Sequence, residues 1–349
     1  MGSVQLLDAT LRDGGFGLED AFLKGYSKHC FDDCDIENLI RCLVKSRIDI
    51  LEIGAVEQSQ MDKRQFAIYS SIEELSERVL QASDDQLFAL MLRGPDIPLE
   101  SIPPCRKGLC DVIRVILRYS ELKKSLDYCA SLSKKGYKVC VQPMLTMRYT
   151  PEEIQQVIDA TNEMDAYALY FVDSYGYMDE SDVLHFLKTY DAGLKPSIKI
   201  GLHAHNNTNL AFANVKTFLT NRGERDVIVD SCFMGLGQGA GNMQTEILAD
   251  YLIKTEGKQY DYSAVLDGCE VVDKFYERNL CGYSVTYLLP ALHKAAYKYA
   301  VDMRLKKKLS YAEIDRVFAH MPNDLKQRYT HENMYKALVN AGIESPEAY

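Results

Sequence analysis

The chain has 349 residues, 47% hydrophobic and 26% charged, a length that suits one large domain with an appendage and needs no covalent staples. Its 50 acidic and 40 basic residues leave a net charge of −10, and without a long basic run this argues against a nucleic-acid surface. Ten scattered cysteines show no zinc-finger or disulfide spacing, and no segment approaches the ~20 apolar residues of a membrane span, so a reduced, cytoplasmic protein with no membrane contact is expected.

Short apolar, β-branched runs alternate with longer amphipathic stretches. In chain order the runs begin at Val4 (VQLLDAT), Ile48 (IDILEIG), Gln86 (QLFALML), Asp111 (DVIRVIL), Tyr137 (YKVCVQP), Ala168 (ALYFVDS), Ile198 (IKIGLHAH) and Asp226 (DVIVDSC). Between them lie segments with apolar residues three and four apart, such as IENLIRCLVKSR, PEEIQQVIDATNEM and ESDVLHFLKTY. Thr150 before Pro151 is a helix start with proline in the first turn. Eight β-then-α units predict an α/β protein with a (β/α)8 TIM barrel over residues 1–257. From about Lys258 helical patterns follow one another without a strand, which predicts a C-terminal helical subdomain over 258–349. The stretch from Gly14 to Asp35 reads as an unusually long first loop, of the kind that forms lids.

Barrel chemistry sits at the C-terminal strand ends. The first strand ends in Arg12-Asp13-Gly14-Gly15 and the seventh in His203-Ala204-His205-Asn206-Asn207, with only the eighth strand between them. His203 and His205 are two apart on a strand and leave on one face. With Asp13 as carboxylate they make a facial ligand set for a divalent metal. Ser174 could hydrogen-bond a substrate carboxylate. Asp173 beside it, and Glu52 at the end of the second strand, are either substrate-site or purely structural acids; Glu52 could also orient Arg12 or act as an acid.

These motifs resemble the DRE-TIM metallolyases, the HMGL-like superfamily that includes 4-hydroxy-2-oxovalerate aldolase, hydroxymethylglutaryl-CoA lyase and several acyl-CoA-dependent synthases. The resemblance rests on LDATLRDGG, GLHAHNN and GLGQGAGN, and extends toward the aldolase through RVILRYSELKK, VDSYGYM and KAAYKYAV. It implies that Arg12 stabilises an enolate oxygen while Asp13, His203 and His205 bind Mn2+ or Mg2+, with Asn242 near the metal. Charge logic agrees, since a Lewis acid and a fixed guanidinium are the groups that stabilise such an oxygen. Gly239, with Gly237 and Gly241, permits close backbone approach to a substrate in the eighth-strand loop, whose ligand the sequence leaves open.

One position departs from the family. Where the aldolase carries a catalytic histidine three residues after the metal aspartate, this chain has Phe16. His29, Tyr283 and Tyr287 are the candidate substitutes for the missing base. The leading expectation is an aldolase working through a pyruvate-like enolate on a small-molecule 2-oxo acid and an aldehyde. The alternatives are a Claisen-type acyltransferase using acetyl-CoA and a barrel kept as a non-catalytic scaffold. The resemblance also implies a partner aldehyde dehydrogenase, and a homo-oligomer is expected.

Overall fold

A computed structural model describes residues 1–59, 61–77, 85–276 and 282–344. The eight expected runs all form strands: β1 (Val4–Asp8), β2 (Ile50–Val56), β4 (Leu87–Leu92), β5 (Val112–Ile116), β6 (Lys138–Gln142), β7 (Ala168–Asp173), β8 (Lys199–Ala204) and β9 (Val227–Ser231). A two-residue strand, β3 (Ile68–Tyr69), pairs with the outer end of β2. Neighbouring strands are parallel. The sheet closes on itself because β1 pairs with β2 on one side, Leu7 against Ile50, and with β9 on the other, Val4 to Asp8 against Val227 to Ser231. The chain therefore folds as a TIM barrel with helices around it.

Alternation along each strand layers the interior. Leu7, Ile50, Val112, Cys140, Ala168 and Ile228 form an apolar layer low in the barrel. Two residues further along the same strands come Glu52, Arg114, Tyr170 and Asp230, all buried, and His203 on β8 joins them. The intervening residues, such as Leu6, Leu51 and Val229, pack outward against the helices in the main core. Helices Asp33–Ser46, Pro151–Glu163 and Glu180–Gly193 each begin at a capping box, with Asp32, Thr150 and Asp179 as the caps.

Four features differ from the sequence reading. The stretch after Gly14 is a helix, Gly15–Leu23, running on from a single π-helical turn, Thr10–Gly14. Its glycines serve close packing and not looseness: a Cβ at Gly15 would lie 2.0 Å from the Phe66 carbonyl oxygen. Between β4 and β5 there is no α-helix, only a 3-10 turn at Leu99–Ser101. The helix Tyr262–Tyr276 lies past the expected boundary at 257, yet its Val265, Val272 and Phe275 belong to the barrel's own core. A separate apolar cluster begins only at Leu289, drawing on Tyr299, Ile314, Phe318, Met334 and Leu338. Finally, the continuous pattern from Ser284 to Met303 breaks into helices Val285–Leu292 and Tyr297–Leu305, with Lys294 in the left-handed region between them. Among the described residues no helix is long and apolar enough to cross a membrane.

Candidate active site

The C-terminal strand ends open into a cavity of about 310 Å3. Its floor carries Arg12, Asp13, His203 and His205; Met91, Ile116, Leu145 and Val172 give it apolar walls; Tyr297, Lys298, Gln327 and Arg328 enter it from the C-terminal segment.

Asp13, His203 and His205 each offer one ligand atom, all within 4.8 Å of one another and all buried. The two Nε2 atoms are 3.3 Å apart, and His205 Nε2 is 4.0 Å from Asp13 Oδ2. Two cis ligands on metal bonds of about 2.1 Å would sit roughly 3 Å apart, so the imidazoles are spaced for a shared ion. Burial pushes His205 down to about 4, which leaves its imidazole neutral and its lone pair available at neutral pH. Burial alone would raise Asp13, but Arg12, the two imidazoles and Asn242 outweigh it and hold the carboxyl well below its ordinary value.

A chain of buried charges braces this set. Arg12 donates from Nε to Glu52 Oε2 at 2.8 Å and from NH1 to Asp13 Oδ1 at 2.5 Å. Arg114 donates from NH1 to the same Glu52 oxygen at 2.6 Å and from NH2 to Asp230. Asp230 Oδ2 lies 2.9 Å from His203 Nδ1, which fixes the ring and turns Nε2 toward Asp13 and His205. Glu52 thus holds Arg12, as expected of an orienting acid, and it is fully buried and absent from the cavity lining.

The remaining predicted residues separate. Asn242 donates from Nδ2 to Asp13 Oδ2 at 2.6 Å, and its buried Oδ1 has no partner among the described residues, an orphan acceptor beside the Asp13 carboxylate. Gly237 makes room for this contact, since a Cβ there would lie 2.2 Å from Asn242 Nδ2 and 2.4 Å from Asp13 Oδ2. Gly239 has a φ of +65° and approaches Asn207 and Tyr297 without lining the cavity. Ser174 does line it, with Oγ accepting from Leu145 N at 2.9 Å. Asp173 instead turns into its own loop and accepts from the Tyr177 and Met178 amides. Burial raises its carboxyl to about 7.

The three substitutes for the missing base do not line the cavity. His29 sits between the first two helices, Tyr283 is 56% exposed, and Tyr287 packs its ring 5.9 Å from that of Tyr297. Phe16 lines the cavity under a guanidinium, Arg93, 3.8 Å from its ring centroid. Three tyrosines do line the cavity, Tyr175, Tyr297 and Tyr329; the Tyr175 and Tyr329 phenols donate to Gln327 O and Asp302, while that of Tyr297 is hydrogen-bonded to Asp20 Oδ2 and Gln238 Oε1, each at 3.3 Å. Burial, then Asp20, Tyr287 and Asp13, keep that phenol protonated well above the ordinary tyrosine range. The sequence did carry a signal for it, because Tyr297 lies within KAAYKYAV. Nothing in the linear pattern shows that the helix restarts there and turns this tyrosine inward.

The HMGL-like family matches residues 116–272. A 4-hydroxy-2-oxovalerate aldolase of Chloroflexus aurantiacus is 26% identical over 314 residues, which cover 86% of this chain and 87% of that protein. Among solved structures, the N-terminal domain of an aldolase candidate from Bacteroides vulgatus superposes with a TM-score of 0.71 at 21% identity, covering 89% of this chain and 99% of that one. Hydroxymethylglutaryl-CoA lyase from Pseudomonas aeruginosa has the same fold, with a TM-score of 0.61 at 16% identity over 78% of this chain and 93% of that one.

Proposed function

We propose that this chain, HMGL-like over residues 116–272 and a relative of 4-hydroxy-2-oxovalerate aldolases along most of its length, is a divalent-metal-dependent aldolase. It makes or breaks a carbon–carbon bond through the enolate of a 2-oxo acid. The observation that carries this reading is the buried Asp13, His203 and His205 set with Arg12 held against it.

Asp13, His203 and His205 would hold the metal, with Asn242 as a further ligand or brace. When bound, it supplies Lewis-acid polarisation of the 2-oxo group. Mixed carboxylate and imidazole ligands suit Mn2+ somewhat better than Mg2+. In cleavage, the bond between C3 and C4 of a 4-hydroxy-2-oxo acid breaks and its electron pair moves onto the C2 oxygen. Arg12 faces that developing charge, and Glu52 keeps the guanidinium from swinging away. The C4 hydroxyl proton passes to the Tyr297 phenol as the phenol's own proton moves to Asp20. The same pair then protonates the enolate carbon to give the 2-oxo acid. In condensation the methyl proton leaves by this route, and Tyr297 returns a proton to the new alkoxide. Phe16 contributes no proton. Together with Met91, Ile116 and Val172 it keeps water from the enolate carbon.

The relatives matched along most of the chain carry aldolase names, so the Claisen-type alternative is not favoured. A partner aldehyde dehydrogenase, a homo-oligomer and a cytoplasmic setting belong to the same proposal. The free thiols of the described cysteines fit a reducing compartment. The test is exchange of the pyruvate methyl protons in heavy water, followed by NMR. Exchange should require Mn2+ or Mg2+ and fall ~10²- to 10³-fold in Arg12→Ala, the loss typical of removing one oxyanion donor. A metal-loaded protein that exchanges no 2-oxo acid would refute the aldolase.

A further inference from the structure

The floor of the cavity accounts for the 2-oxo acid, and its one cation, Arg12, is already committed to Asp13 and Glu52. The C-terminal segment adds two more cations to the lining, Lys298 and Arg328, and no carboxylate. Lys298 is paired with Asp20 at 2.7 Å. Arg328 is different. Its carbonyl accepts from Tyr299 Oη at 2.7 Å and from Asn333 Nδ2 at 2.9 Å, so its backbone is clamped. Its guanidinium has no hydrogen bond, ion pair or ring contact among the described residues. Beside it Gln327, also in the lining, leaves its buried Oε1 without a donor. In a chain with a net charge of −10, an arginine that is unpaired among the described residues, with its backbone held at the wall of the reaction cavity, is available to an acidic partner from outside the chain.

Building on the aldolase reading, we infer that the acceptor aldehyde is anionic: Arg328, with Lys298 nearby, binds a carboxylate or phosphate at the end of the aldehyde remote from its carbonyl, and Gln327 accepts from a hydroxyl on it. A planar guanidinium takes either anion in two parallel hydrogen bonds. The metal end remains free for the 2-oxo acid, because the two recognition sites come from different parts of the chain. A short uncharged aldehyde would leave Arg328 and Gln327 unused.

The experiment uses the full-length, Mn2+-loaded protein with pyruvate and two matched aldehyde pairs. Glyceraldehyde 3-phosphate is compared with glyceraldehyde, and succinic semialdehyde with butanal. The charged member of at least one pair should have the higher kcat/KM by ~10-fold or more, the size expected of a hydrogen bond to a charged group. Whichever pair shows it identifies phosphate or carboxylate. The preference should shrink as salt is raised, because Arg328 is exposed. Arg328→Gln should bring the charged-to-neutral ratio down by a similar factor, while Arg328→Lys retains part of it. Equal rates within both pairs would overturn the inference, as would a ratio unmoved in Arg328→Gln. Pyruvate methyl exchange in the wild-type protein separates the two layers. Exchange without a charge preference removes the anionic acceptor alone; no exchange with metal bound removes the aldolase reading and this inference with it.

Discussion

The floor and the roof of the cavity are built by different means. The floor is strand ends: Arg12, Asp13, His203 and His205 project from a closed barrel, and Arg12, Asp13 and His203 are each held by a second charged or polar group that is itself held. Arg12, Glu52, Arg114, Asp230 and His203 form one buried line in which removing a partner strands a charge, at a cost of about 3–5 kcal/mol. The roof is carried by a separate apolar cluster of helices beginning near Leu289. It reaches the barrel through Tyr297 and Lys298 on Asp20, and it brings one lining cation, Arg328, that is unpaired among the described residues. A rigid floor suits chemistry that must not vary, and a roof on its own core can change its polar groups without disturbing the barrel.

The sharpest way to break this contrast is at the floor. Asp13→Ala should abolish stoichiometric metal binding by calorimetry and reduce pyruvate exchange by more than ~10³-fold, beyond the loss of a single oxyanion donor. If the variant still binds metal with wild-type affinity, the ligand set is misassigned. At the roof, Tyr297→Phe should lower kcat for aldol cleavage by ~10²-fold or more, as for other general acid–base groups, with metal affinity unaltered. A variant with wild-type kcat would move the proton path elsewhere.

Smaller effects grade the bracing. Asp230→Asn should weaken metal binding by ~10- to 100-fold, the range for groups that orient a ligand, and lower Tm because Arg114 loses its charged partner. No change in affinity would mean that the buried line is structural only. The smallest effect is on pH. Protonated His205 cannot bind metal, and burial lowers that imidazole to about 4. An ordinary histidine would begin to lose metal below about 6.5. Here His205 should hold its lone pair until pH approaches its own lower value, so it causes no loss of affinity on acidification from 7 to 5. A decline in calorimetric affinity that begins near 6.5 and disappears in His205→Asn would contradict the burial argument.

Much of the floor was legible because strand periodicity and strand order are local properties. His203 and His205 share a face by virtue of being two apart, and a closed eight-stranded barrel brings the ends of the first and seventh apolar runs together. Glu52 was legible as a strand-end acid, but its fully buried place under Arg12 was not. The helix at Gly15–Leu23 was hidden by its glycines, which look like a loop until Phe66 is seen against Gly15. The nominated tyrosines, Tyr283 and Tyr287, lie one helix break before Tyr297 and outside the cavity lining.

By itself, then, the sequence determined the barrel, the order of its strands and the metal-ligand candidates, since each follows from patterns of two or three and four residues along the chain. Tertiary structure decided the rest. It put the Tyr297 phenol at the cavity against Asp20, turned Asp173 into its own loop and left Arg328 without a partner among the described residues. The placing of Tyr297 and Arg328 depends on how distant residues meet, as Asp20 meets Lys298, and the Asp173 contacts are set by the shape of its loop; no local periodicity encodes either.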